Sequence, residues 1–214
     1  MDWEFQRRMM VSRQLRGRGI RDERVLRAMI EIPREEFVPE DTRGAACSDE
    51  PLGIGYGQTI SQPYMTALMV QSLELEGTET VLEVGAGCGY HAAVLGALAA
   101  RVIAIELIPE LAAMAQGNLA HAGRLGNITV IAGDGSLGYP REAPYDAISV
   151  AAAAAEIPRA LPEQLKDGGR MVIPVGPSAD QELRVVRKRG REIDWHVAAH
   201  CRFVPLREAA RRVD

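Results

Sequence analysis

Thr80-Val81-Leu82-Glu83-Val84-Gly85-Ala86-Gly87-Cys88-Gly89-Tyr90 is the stretch on which the fold turns. Thr80 to Val84 is a short β-branched and apolar run, the composition of a buried strand. It passes directly into Gly85-x-Gly87-x-Gly89, and His91 to Leu98 then reads as a helix. Glycines are needed where backbone turns sharply and lies close to a ligand. A nicotinamide-type fingerprint, G-x-G-x-x-G, would place its third glycine at position 90, where Tyr90 stands instead. The earlier third glycine favours S-adenosylmethionine, which has no pyrophosphate for a helix N-terminus to cradle. A loop of this kind also serves as a purely structural strand-to-helix turn, so it needs partners.

Glu106 is the first. It ends the next apolar run, Val102-Ile103-Ala104-Ile105, and lies 21 residues after Gly85. An acid at the tip of a second strand can accept hydrogen bonds from both ribose hydroxyls of a nucleoside. Asp134 follows a third strand in Gly133-Asp134-Gly135, either as part of a sharp turn or as acceptor for an adenine amino group. Glu83, at a buried strand end, is too costly to be filler, and can face the cofactor's ammonium directly or through water.

Further out, strands and helices alternate. Strands are predicted at Arg101 to Glu106, Asn127 to Ala132, Tyr145 to Val150 and Arg170 to Val175; helices at Pro109 to His121 and Ile157 to Leu165. This order implies an α/β fold with a doubly wound, mostly parallel sheet. Residues 1 to about 45 read as charged helices, with Val25, Leu26, Met29 and Ile32 at helical spacing. A Gly- and Pro-rich loop runs from Pro51 to Pro63, and Pro63 suits the first turn of a helix with Ser61 or Gln62 just before it. Glu182 to Arg187, Gly190 and a stretch ending near Val204 suggest a C-terminal antiparallel hairpin. The chain reads as one domain, 1–214: an N-terminal extension with a loop (1–62), a cofactor-binding core (63–176) and C-terminal strands (177–214). Ala151 to Ala155 serve as packing filler or as a floor that leaves room for a substrate.

Composition excludes several classes. The net charge is −4, the pI about 5.7 and the aromatic content 5%, so neither charge nor stacking platforms point to nucleic acid. Cys47, Cys88 and Cys201 form neither a disulfide framework nor a metal pair. The start Met1-Asp2-Trp3-Glu4-Phe5 is charged where a signal peptide is apolar, and the uncharged runs are too short to span a bilayer; a cytoplasmic protein is expected. His196 and His200, beside Cys201, share a strand face and are read as surface or packing residues, so no metal site is expected. His91 and His121 are read as helix residues without a chemical role.

The methyl acceptor does not follow from these residues. Gly55-Tyr56-Gly57-Gln58-Thr59-Ile60-Ser61-Gln62-Pro63-Tyr64-Met65, however, resembles the hallmark segment of the protein-L-isoaspartate O-methyltransferases. The resemblance continues through the glycine loop, Gly133-Asp134-Gly135, Tyr145-Asp146-Ala147-Ile148, Glu156-Ile157-Pro158, Gln164 to Arg170, Ile173 to Gly176 and Phe203-Val204-Pro205-Leu206. Gln14-Leu15-Arg16, Pro33-Arg34 and Phe37-Val38-Pro39 fit as well, so almost the whole chain is covered. The chain departs from the family at Ala151 (usually Thr), Ala155 (often Pro), Gly53 (often Pro) and Cys88 (often Ser).

The resemblance implies a class I S-adenosylmethionine methyltransferase fold with its last strands in an unusual order. It implies methyl transfer to the free α-carboxylate of L-isoaspartyl residues in damaged proteins and peptides, initiating repair through a succinimide. Ser61 corresponds to the catalytic residue, in an active-site loop Thr59-Ile60-Ser61. Thr59, Ile60, Glu83, Gly85, Gly87, Glu106, Asp134 and Gly135 correspond to the cofactor site, and Ser61, Val204 and Leu206 to the substrate site. Isoaspartyl proteins are the implied partners, with no nucleic acid or membrane, and a monomer is expected. Two other readings stay open: a methyltransferase that esterifies another carboxylate, such as aspartate in a modified peptide, and a non-catalytic cofactor-binding protein.

Overall fold

The structure, a computed structural model, describes residues 1–124 and 126–209. The end of the C-terminal segment read as 177–214 therefore lies partly outside the described residues. The central feature is a sheet of β3 (Thr80–Val84), β4 (Arg101–Glu106), β5 (Ile128–Ala132), β6 (Tyr145–Val150), β7 (Leu165–Val175), β8 (Gln181–Arg189) and β9 (Glu192–Cys201). Its order is β5-β4-β3-β6-β7-β8-β9. The first five strands run parallel, and β8 and β9 add antiparallel in chain order. Each parallel strand needs a crossover, which α4 (Tyr90–Gly96), α5 (Pro109–His121) and α6 (Ala160–Glu163) help supply.

Alternation along the strands divides the core. Leu82, Val84, Ile103, Ile105, Ile148 and Val150 pack with Leu161 of α6 on one face. Val81, Val102, Ala104 and Ala147 face the opposite layer, with α4, α5, α2 (Glu23–Glu31) and α3 (Pro63–Ser72). By the same alternation Glu83 and Ser149, neighbours in the β3–β6 register, point into this second layer. Burying one such aliphatic side chain contributes about 1.5–3 kcal/mol, so the apolar stripes overwhelm the two polar intruders.

Several elements differ from the sequence expectation. The loop from Pro51 contains a hairpin, β1 (Leu52–Gly55) with β2 (Gln58–Ile60), turned by Tyr56 and Gly57 at φ 54° and 70°. Two successive left-handed residues match the twist of a tight hairpin, and three glycines had hidden the strands. α6 is shorter than Ile157 to Leu165, and β7 starts at Leu165 instead of Arg170 because Gly168 at φ 76° lets the strand shift register there without ending. α4 begins at Tyr90, after Gly89 at φ 89°.

Neither Ser61 nor Gln62 caps α3. Gln62 is the N-cap residue and makes no side-chain cap bond, and Asp49 Oδ1 instead accepts the Tyr64 amide at 3.1 Å. A cap from a distant loop is invisible to local sequence. Among the described residues, no helix is long and apolar enough to cross a membrane.

Candidate active site

Parallel strands bring all their carboxyl ends to one edge, and the site is built there. β3 leaves the sheet at Gly85, whose amide donates to Ile105 O at 2.8 Å, and the Ala151 amide after β6 donates to Val84 O at 2.8 Å. Gly85 has φ 87°, and a Cβ there would lie 3.8 Å from the Ala151 carbonyl carbon, so the two loops run closely side by side. The hairpin joins them through Ile54, whose Cδ1 would sit 3.2 Å from a Cβ on Gly87. Thr59, Ile60 and Ser61 are thereby delivered to the sheet edge.

The tail closes the other side. Ala153 N–H donates to Val204 O at 2.8 Å and Leu206 N–H to Ala153 O at 2.7 Å. This short pairing over the alanine run carries Val204 and Leu206 into the wall of the site. Small side chains at 151–154 permit so close an approach.

The main cavity, about 570 Å³ and open to solvent, is lined by Thr59, Gly85, Gly87, Glu106, Gly135, Val204 and Leu206 among others. A second cavity beside it is lined by Thr59, Ile60, Ser61, Gly85, Tyr90, His91 and Ala151. A third is formed by Thr59, Ser61, Met65, Ala151, Phe203 and Val204. Thr59 and Ala151 are common to all three, so the cavities meet at that pair. A roomier groove beside the first helix contains Arg7, Arg8 and Arg16, but these are already paired with Glu35, Glu4 and Glu23.

The acids divide in character. Glu106 is braced: Oε2 accepts the Gly87 amide at 2.8 Å and Oε1 the Ile108 amide at 3.0 Å. Glu83 is 0% exposed, and among the described residues neither carboxylate oxygen has a hydrogen-bond partner. Burial, reinforced by the nearby Glu106 charge, pushes its pKa well above the ordinary carboxylate range. It lines none of the three cavities and acts on Glu106 and Cys88. A buried carboxylate without partners is a candidate acceptor for a cationic group.

Asp134 takes the turn role that the sequence left open beside the acceptor role, and its Oδ2 keeps a lone pair. Its Oδ1 accepts from the Ser136 amide at 2.9 Å and hydroxyl at 2.6 Å, and its Oδ2 accepts the Ala209 amide at 2.8 Å. These bonds hold its pKa below the ordinary value against partial burial. Gly135, not Asp134, lines the main cavity, and a Cβ there would come within 2.5 Å of Val84 Cγ1.

Ser61 lines the second and third cavities, and its carbonyl accepts from Arg34 Nη2 at 2.7 Å. Among the described residues, no imidazole or carboxylate is bonded to its hydroxyl. His91, read from sequence as a helix residue without a chemical role, lines the second cavity, and its Nε2 lies 3.0 Å from Ser149 Oγ. Burial pushes its pKa down to about 4, which keeps the imidazole neutral. No local signal marks His91, Ser149 or Arg34, since only tertiary packing brings them here. His196 and His200 are both exposed on β9, and the bulge between them, where Leu183 pairs with Ala199 and Arg184 with Val197, puts them on opposite faces instead of the shared face expected.

Comparison with known proteins gives this edge a family. The family model described as Protein-L-isoaspartate(D-aspartate) O-methyltransferase (PCMT) matches residues 6–211. A protein-L-isoaspartate O-methyltransferase of Methanoculleus marisnigri is 52% identical over 202 residues, covering 94% of this chain and 91% of its own. One from Koribacter versatilis is 54% identical over 200 residues, covering 94% and 90%. A solved protein-L-isoaspartate O-methyltransferase superposes with a TM-score of 0.83 at 29% identity, covering 92% of this chain and 65% of that one. A Plasmodium falciparum chain described under the same activity, solved with S-adenosyl-L-homocysteine, gives 0.79 at 25% identity, covering 95% and 99%. With its sequence matched almost end to end and its fold reproduced, the chain belongs to the protein-L-isoaspartate O-methyltransferase family.

Proposed function

We propose that this chain transfers the methyl group of S-adenosylmethionine to the free α-carboxylate of L-isoaspartyl residues in damaged proteins and peptides, with Ser61 positioning that carboxylate. The observation that carries this reading is the meeting of the cavity lined by Glu106 and the glycine loop with the Ser61 cavities at Thr59 and Ala151. The residues present fit the cofactor. Glu106 keeps a free lone pair on each oxygen for the ribose, the orphaned Glu83 carboxylate suits the ammonium end, and Gly85, Gly87 and Gly135 leave the walls bare. Thr59 and Ile60 would flank its reactive end, and Asp134 would shape the adenine side through Gly135, which lines the main cavity. When bound there, S-adenosylmethionine supplies an electrophilic methyl group.

The chain's own contribution is positional. A carboxylate with a pKa of about 4 is already ionised at neutral pH and needs no general base. Ser61 offers a hydroxyl donor that orients it, Val204 and Leu206 hold the peptide, and the apolar floor at Ala151 and Ala152 sheds water from the attacking oxygen. The resulting ester is attacked by the next backbone amide nitrogen with loss of methanol, and the succinimide hydrolyses partly to normal aspartate. The absence of a base on the Ser61 hydroxyl among the described residues disfavours a hydrolase. We read the working form as a cytoplasmic monomer acting on proteins; the net charge of −4 supports the reading that nucleic acid is not a partner. Labelled cofactor with matched peptides tests the function: isoaspartyl peptide is labelled and aspartyl peptide is not, and equal labelling of both or of neither overturns it.

A further inference from the structure

Arg34 is 0% exposed, an unusual place for a guanidinium. Its Nε donates to Ala46 O at 2.8 Å and its Nη2 to Ser61 O at 2.7 Å. Among the described residues, Nη1 has no hydrogen-bond partner and no carboxylate pairs with Arg34. Glu35, the next residue, is committed to Arg7.

The titratable groups nearest the guanidinium are neutral, and the buried Glu35 carboxylate, which also acts on Tyr90 and Cys47, is shared with the Arg7 cation. The Arg34 guanidinium carbon stands 4.7 Å from the centroid of the Tyr90 ring, and the Cys47 and Cys88 thiols are the other neutral neighbours. Burial pushes Tyr90 up to about 12 and Cys88 up to about 11, and raises Cys47 as well. A desolvated cation among neutral groups lacks the counter-charge that makes burial tolerable. Tyr90, Cys88 and Ser61 also line the second cavity. Arg34 thus stands just behind the wall of the cavity that adjoins the acceptor position.

We propose that Arg34 is a positioning residue for the acceptor: it fixes Ser61 through its carbonyl, and the incoming α-carboxylate is the counter-charge that its buried guanidinium lacks. This rests on the function proposed above. Arg34 acts through Ser61 and through its field, without touching the substrate. The same field could serve the carboxylate of the cofactor, but the hydrogen bond to Ser61 directs it to the acceptor side.

The test separates these sources. With the enzyme saturated in S-adenosyl-L-homocysteine, affinity is measured for an isoaspartyl peptide and for the same peptide with its α-carboxylate converted to a carboxamide. Wild type prefers the carboxylate. Arg34→Met loses about tenfold of that preference, or ~1.4 kcal/mol, and keeps its S-adenosyl-L-homocysteine affinity within about threefold. Arg34→Lys keeps the charge and hence the preference, while kcat falls about tenfold because the fork to Ser61 is lost.

Equal weakening of both peptides by Arg34→Met marks a structural prop and overturns the proposal. So does a loss of S-adenosyl-L-homocysteine affinity, or a preference that survives removal of the charge. If Arg34→Met does not fold, Arg34→Lys decides alone: lost preference with unchanged kcat overturns it. Failure of wild type to methylate any isoaspartyl peptide instead rejects the function.

Discussion

Glu106 Oε2 accepts the amide of Gly87 at 2.8 Å, so the acid that ends β4 ties down the middle glycine of the loop that follows β3. With Oε1 held by the Ile108 amide at 3.0 Å, the carboxylate is fixed before any ligand arrives. Each oxygen retains a lone pair, and the residue lines the main cavity. Pre-organisation of this kind spares the ligand the entropy of ordering its own acceptor.

Glu106→Ala removes both functions. Hydrogen bonds to a charged acceptor contribute about 1.5–3 kcal/mol each, so S-adenosyl-L-homocysteine affinity falls at least about tenfold. Calorimetric titration checks this. An unchanged affinity would exclude Glu106 from the cofactor site.

Ser61→Ala leaves the Arg34 hydrogen bond in place, because that bond goes to the main-chain carbonyl. The substitution should lower kcat for an isoaspartyl peptide by about ten- to hundredfold, corresponding to about 1.4–2.7 kcal/mol of lost alignment. S-adenosyl-L-homocysteine affinity should stay within about threefold. Full turnover in the variant would remove the hydroxyl from the mechanism.

Glu83 gives a pH prediction. Its folded-state pKa is raised well above the ordinary carboxylate range, so folding favours the protonated form. Its contribution to ligand-free stability is present below pH 4.5 and is lost as pH rises toward the folded value. Glu83→Gln should therefore be more stable than wild type without ligand, by an increment that grows between pH 5 and pH 8, and should gain less from S-adenosyl-L-homocysteine. Urea denaturation at the two pH values, with and without ligand, checks both statements. An increment that does not change with pH would show that folding leaves the Glu83 pKa unshifted.

Gly89 adopts φ 89° at the start of α4, and a Cβ there would lie 3.1 Å from Ala115 O and 3.2 Å from Leu119 Cγ. Gly89→Ala combines a left-handed alanine, which costs about 1–2 kcal/mol, with crowding against α5. A loss of about 2–4 kcal/mol of unfolding free energy is expected in urea. Wild-type stability would mean that the loop can reshape at no cost.

Sequence was most legible where the pattern is local. Apolar alternation and flanking breakers place β4, β6 and α5 at the bounds expected, and strand–glycine–helix order leads to the parallel sheet. It was least legible around Leu52 to Ile60, where glycines mask two strands, and at Gly168-Gly169, where a positive φ shifts a strand instead of ending it.

By itself the sequence determined the glycine loop from Gly85 to Gly89 and the acids that follow it, because backbone freedom and strand periodicity are properties of neighbouring residues. The tertiary structure decided the rest. Only packing orphans Glu83, binds both oxygens of Asp134 to other partners, sets His91 against Ser149 and buries Arg34 behind Ser61. Burial and pairing are sums over residues distant in the chain, and they determine which side chains remain available for chemistry.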